Sequence, residues 1–256
     1  MTIFILLIIR LLSVAQNDFE VFIVPGGSDL DIDNNGNLYI LNQNKLTVYS
    51  PYSGLQKDYY SQNSSNLTAV DHFNEFKIIL YDEAFRNFIL LDNNLNPIDN
   101  NSITINESIY GKIQFCRTNT GFIVIDCEEK YIFFHNKKFT LSRKAELNKL
   151  SGKTIINIEY YANIIYILTA DNMLFLYDSE GALIQSVKVP PSKLFHINKF
   201  GISLLSEDLK YVHLHSIDNL SEIIKIPLTE KLKINDIGYF EDTLWILNDT
   251  GLFLKK

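Results

Sequence analysis

Short runs of consecutive apolar residues recur along the chain, each followed by a stretch in which apolar and polar residues alternate. The continuous runs are Leu38-Tyr39-Ile40-Leu41, Lys77-Ile78-Ile79-Leu80, Phe122-Ile123-Val124-Ile125, Ile164-Ile165-Tyr166-Ile167-Leu168, Ile202-Ser203-Leu204-Leu205 and Leu244-Trp245-Ile246-Leu247. Their ends, Leu41, Leu80, Ile125, Leu168, Leu205 and Leu247, lie 39, 45, 43, 37 and 42 residues apart. A continuous run of this length reads as a strand buried on both faces, and an alternating run as one buried on a single face. Several short strands repeated at a fixed period of about 41 residues predict an all-β fold, a six-bladed β-propeller with four antiparallel strands per blade.

Each unit divides into strands a to d, running outward from the channel. In the first, Asp29–Asp33, Asn37–Leu41, Lys45–Tyr49 and Leu55–Tyr60 are the four strands, with Asn34-Asn35-Gly36 as a hairpin turn between a and b. The outer strands of the second and third units are expected at Leu95–Ile98 and Lys138–Leu141. Ser142–Lys153 carries helix character and the densest positive charge. The sixth unit ends at Lys256 without a strand d, whereas Phe19–Val24 is a strand with no unit of its own. The two deficits complement each other: the N-terminal strand is expected to pair outside the last blade and close the ring, removing its open edges.

Residues 1–15 stand apart from this pattern. Ile3 to Leu12 is a short apolar run that ends in Ser13-Val14-Ala15, small residues of the kind that precede signal cleavage. A leader cut before Gln16 is expected, leaving 16–256 as one propeller domain in the periplasm or outside the cell. No other segment approaches the length of a membrane-spanning helix.

A formal net charge of −7 and the lack of a Lys/Arg cluster exclude the basic groove that nucleic acid requires. The two cysteines do not suggest a disulfide. If Thr118–Gly121 is the turn, Cys116 faces Ile123 and Cys127 lies four residues on, about 13 Å along the strand. That is beyond disulfide reach unless a bulge intervenes.

The segment Asp31-Ile32-Asp33-Asn34-Asn35-Gly36-Asn37-Leu38-Tyr39-Ile40 resembles the blade core of NHL and SMP-30-like propellers, D-x-x-G-N-L-Y-V. Asn172–Asp178 with Gly181 is a weaker echo of the same repeats. The resemblance implies the propeller fold. SMP-30-like members hydrolyse lactones with a divalent cation at the channel, so it also raises a metal-dependent lactonase-like hydrolase as an alternative.

The residues themselves do not specify such a centre. Polar residues on the inner strands, Asp31, Asp71, His72, Asn157, Glu159, His196, Asn198, Asn235 and Asp236, suit a wet polar channel as well as a metal site. Asp31–Gly36 matches half of a calcium loop, but position 12, which should be Glu, is Asn42. His213 and His215 alternate on one strand and read as partly buried strand residues more readily than as zinc ligands. No G-x-S-x-G occurs. No catalytic residue, metal ligand or cofactor is assigned.

The remaining signal lies in the loops. The b–c turns carry Asp82, Glu83 and Arg86, then Glu128 and Glu129, then Glu207 and Asp208. In a propeller these turns share a face with the d–a connections, which bring Tyr59, Tyr60 and Tyr110 to the same rim. Charged and aromatic residues on one loop-rich face suit a protein partner. The expectation is a non-catalytic, exported scaffold that binds a larger envelope protein through these residues. Small signal-bearing propellers of this Asn/Ile/Lys-rich composition resemble accessory subunits of bacterial envelope machines. One of these is the periplasmic plug of the type 9 secretion translocon, which caps an outer-membrane β-barrel. A carbohydrate-binding propeller that uses exposed tyrosines is a further alternative.

Overall fold

A computed structural model describes residues 20–22, 26–62, 66–74, 77–82, 87–98, 103–104, 113–136, 140–228 and 233–255. The expected leader over residues 1–15 lies outside them. The chain forms six four-stranded antiparallel sheets. After β1 (Glu20–Phe22), the first blade holds β2 (Asp29–Ile32), β3 (Leu38–Asn42), β4 (Lys45–Tyr49) and β5 (Gln56–Tyr60). The second holds β6 (Ala69–Asn74), β7 (Lys77–Asp82), β8 (Asn87–Asp92) and β9 (Ile103–Thr104). The third holds β10 (Ile113–Arg117), β11 (Gly121–Asp126), β12 (Tyr131–Asn136) and β13 (Leu141–Glu146). The fourth holds β14 (Ile155–Tyr161), β15 (Ile164–Thr169), β16 (Met173–Asp178) and β17 (Leu183–Lys188). The fifth holds β18 (Ser192–Asn198), β19 (Gly201–Ser206), β20 (Tyr211–His215) and β21 (Glu222–Pro227). The sixth holds β22 (Asp236–Phe240), β23 (Thr243–Leu247) and β24 (Leu252–Lys255).

The last blade is completed by the N-terminal strand, as the complementary deficits required. The sheet order is β1-β24-β23-β22, with Glu20 opposite Leu254 and Phe22 opposite Leu252. The ring therefore closes through hydrogen bonds between its two ends, and β24 is left without a free edge.

Burial follows the hydrophobic pattern. The second strand of each blade is buried along most of its length, with every described residue of β11 and β19 buried. Apolar side chains from facing sheets form six clusters, one at each blade-to-blade seam. At the closing seam, Leu30, Ile32, Leu38 and Ile40 of the first blade pack on Phe240, Trp245, Leu247, Leu252 and Leu254 of the sixth. Gly238 on β22 allows that approach, because a Cβ there would stand 2.3 Å from the Ile32 Cδ1 atom.

Two outer strands differ from the sequence expectation. Leu95–Ile98 is a turn rather than a strand: Leu95 sits at φ 66, Pro97 makes only an isolated bridge to Leu91, and the outer strand is β9. In the third blade the outer strand is β13, which shares Leu141 with the expected Lys138–Leu141 (residues 138 and 139 lie outside the described ones), and the first five residues of the basic stretch expected to be helical, 142–146, are edge strand. Its cations are held by rings of the neighbouring strand: Lys144 Nζ lies 3.6 Å from the Tyr131 ring centroid, and the Arg143 guanidinium lies 4.0 Å from that of Phe134. Helical character persists only in one short turn, Asn148–Leu150.

Candidate functional site

The six inner strands, β2, β6, β10, β14, β18 and β22, surround a central channel with a cavity of about 380 Å³. Polar side chains of these strands reach across the seams to the backbone of the next blade. Asp236 accepts the Leu30 N–H at 2.9 Å, and Asp29 accepts the Val70 N–H at 2.7 Å. Gln114 donates to the Ile156 carbonyl at 2.5 Å, Asn157 to that of Phe195 at 3.0 Å, and Asn198 to that of Tyr239. The bonds run from blade six to one, one to two, three to four, four to five and five to six. Inner strands sit edge to edge without a β ladder between them, so side chains supply the partners that their backbone groups need.

This belt gathers charge. Asp29, Asp31, Asp71, Glu159 and Asp236 line the cavity with His196. Burial holds the Asp29 carboxyl well above its ordinary range, and the neighbouring Asp236 raises it further against the Val70 N–H. Burial likewise pushes Asp236 up to about 7, opposed by the N–H groups of Leu30 and Ile237. For His196, burial alone would lower the pKa. The Glu159 carboxylate, 3.6 Å from Nδ1, more than reverses this and raises it to about 9, with help from Asp31 and Asp236.

The sequence-derived channel residues thus separate. Asp31, Asp71, Asn157, Glu159, His196, Asn198 and Asp236 come together at the cavity. Asn235 instead bonds the Gly27 carbonyl and Asp249, and the His72 side chain lies outside the described residues. Asp29 and Gln114 were missed. Their signal was spacing: Asp29 precedes its backbone partner Val70 by 41 residues and Gln114 precedes Ile156 by 42, about one blade period each.

Other candidates prove structural. Asp33, in the half calcium loop, accepts from the Asn35 and Asn37 N–H groups, the Asn37 amide and the Tyr39 hydroxyl, so it organises the a–b turn. His213 and His215 are both buried in β20, and His215 Nδ1 meets the Leu220 carbonyl at 2.9 Å. Among the described residues no group of three or more His, Cys, Asp or Glu is placed to hold a metal ion. Cys116 lies opposite Ile123, and no disulfide joins it to Cys127.

On the other candidate surface, every described d–a connection is tied to the b–c turn of its own blade. Ser61 N–H bonds the Asn44 carbonyl, Leu147 that of Lys130, Val189 that of Asn172, Leu228 that of Lys210 and Gly27 that of Asn248, at 2.8–2.9 Å. Turns and connections therefore share one face. Glu128, Glu129, Glu207 and Asp208 are exposed on it, and Tyr60 is 57% exposed at its edge. Tyr59 is half-buried against the first blade's core, and Asp82 is buried. Glu83, Arg86 and Tyr110 lie outside the described residues. Asp171 and Asp249 pair with Lys153 and Lys233, and Asp208 with Lys210 at 3.4 Å.

No protein-family profile matches the chain, and no curated protein matches it. Solved structures do. The virginiamycin B lyase of Staphylococcus aureus aligns with a TM-score of 0.63 at 10% identity, covering 93% of this chain and 98% of that one. A streptogramin B lyase aligns at 0.64 and 10% identity, covering 92% and 96%. A catalytically inactive histidine-to-alanine variant of the staphylococcal lyase with quinupristin gives 0.62 at 9% identity, covering 92% and 98%. At this identity the likeness establishes the six-bladed propeller fold alone.

Proposed function

We propose that this chain is an exported propeller without catalysis of its own, which holds a larger envelope protein on its loop-rich face. An outer-membrane β-barrel of a secretion assembly is one such partner. The observation that carries the reading is the series of backbone bonds that fix each described d–a connection to a b–c turn. A face fixed before contact loses little conformational entropy on binding. It offers Glu128, Glu129 and Glu207 as exposed carboxylates and Tyr60 as an exposed ring on a different blade, which suits a basic partner surface with an apolar spot.

The test is affinity capture from native envelope membranes with a C-terminal tag, followed by mass spectrometry. A stoichiometric envelope partner, lost when Glu128→Lys and Glu207→Lys are combined, is the expected result. A folded monomer with no partner overturns the reading. A second reading, an enzyme acting at the channel, is favoured by the pairing of His196 with Glu159 and by the lyase fold neighbours. A lactone and ester screen that includes quinupristin tests it.

A further inference from the structure

The channel cavity carries a charge imbalance that the loop-face reading leaves unused. Five carboxylates border it, and among the described residues His196 is its one basic side chain; no lysine or arginine lines it. Carboxylates gathered in a channel repel one another unless a cation joins them; burial is the main cause of the raised Asp29 and Asp236 carboxyls, and neighbouring carboxylates add to it, Asp236 on Asp29 and Glu159 on Asp236. The backbone bonds use only part of these groups: Asp236 accepts the Leu30 N–H with Oδ2 and the Ile237 N–H with Oδ1, one donor on each oxygen, and each oxygen keeps a second lone pair. Asp29 spends Oδ2 on Val70, and its Oδ1 meets no donor among the described residues. His196 is 7% exposed, lines the same cavity and leans on Glu159 through Nδ1, while its Nε2 has no hydrogen-bond partner. A buried ring nitrogen in that state has a bond to offer.

The size and walls of the cavity narrow the class of ligand. About 380 Å³ suits a small molecule. Tyr161 adds an aromatic side chain to the wall, a surface that suits a carbon-bearing cation more than a bare ion. The described residues include no cluster of the kind that holds a metal.

We infer that the channel cavity binds a small organic cation, its ammonium or guanidinium group held by Asp29 and Asp236 and an oxygen of the same molecule accepting from His196 Nε2. The test is calorimetric titration of the full folded chain with L-arginine and agmatine, with succinate, magnesium and calcium chlorides as separate arms. L-Arginine is expected to bind with a Kd below about 1 mM, and the combined Asp29→Asn and Asp236→Asn variant to weaken it about tenfold or more at unchanged circular dichroism. His196→Gln should weaken arginine more than agmatine, which lacks the carboxylate. If the double variant fails to fold, Asp29→Asn alone is read, since its amide oxygen still accepts from Val70. The inference is overturned if neither cation binds the folded protein, if the variants bind as tightly as the parent, or if magnesium or calcium alone titrates with the same dependence on Asp29. Partner capture on the loop-rich face does not bear on any of these outcomes.

Discussion

The innermost and outermost strands of each blade are both rich in polar residues, yet those residues end in opposite surroundings. On the inner strands, carboxylates and amides lie in the channel wall and bond the backbone of the next blade. On the outer strands they face solvent: β13 and β17 are exposed along most of their length, and Arg143 and Lys144 lie over aromatic rings of the strand beneath. Inner polarity thus joins blade to blade, whereas outer polarity guards a sheet edge against unwanted pairing. One residue class serves cohesion at the centre and solubility at the rim, and perturbations should separate the two.

The largest effect is expected from the one outer strand that also joins the ring. Deleting residues 1–24 removes β1 and exposes β24, opposite which it lies from Glu20 to Phe22. The closing-seam cluster would then lie beside an open edge. The loss should be on the order of 3 kcal/mol or more, near the upper range for local changes. Chemical denaturation should show a lower midpoint, and size-exclusion chromatography should show edge-driven association. An unchanged midpoint would mean that the inner belt holds the ring without the strand closure.

A smaller effect comes from one apolar substitution made at two radii. Ile167 on β15 is fully buried, whereas Ile184 on β17 is 53% exposed. Ile167→Ala should cost about 2–5 kcal/mol through lost burial and the cavity left behind. Ile184→Ala should stay within about 0.5 kcal/mol of the parent. Equal costs would place the outer strand in a contact that the monomer does not make.

This radial gradient also explains what could be read from the sequence. The second strands are buried on both faces, so their composition is nearly continuous hydrocarbon, and the strands Ile164–Thr169 and Thr243–Leu247 extend the runs Ile164–Leu168 and Leu244–Leu247 by one residue each. The outer strands have no such constraint. Leu141–Glu146 needs only to tolerate water and one neighbour, so its alternation is weak and its lysine and arginine mimic an exposed helix. Leu95 misled in the other direction, being an apolar side chain buried from within a turn. At the channel, polar residue types were visible, but their convergence depends on six strands meeting from across the whole chain. Asp29 stood inside an expected strand and became meaningful only once Asp236, more than two hundred residues away, arrived beside it.

The subtlest prediction concerns the sign of the pH dependence that the inner belt imposes. Folding raises the Asp236 carboxyl from 3.8 to about 7, so between those values the folded chain holds a proton that the unfolded chain releases. Stability from this group is therefore fully present at low pH and falls as pH rises toward 7. His196 is raised from 6.5 to about 9, and it acts in the same direction over that higher interval. Exposed carboxylates such as Asp92 and Asp171 are held below their ordinary range, so their opposing contribution is complete by about pH 5. From pH 5 to 9 the melting temperature should consequently fall. Asp29→Asn removes one of the mutually repelling carboxyls and keeps an acceptor for Val70. It should flatten the slope below pH 7 and leave the stability at pH 5 almost unchanged. The conservative change separates charge from packing, because a variant that merely disturbed the strand would lose stability equally at every pH. A slope identical to that of the parent would show that the channel carboxylates are relieved by solvent, and the cohesion of the inner strands would then rest on their hydrogen bonds alone.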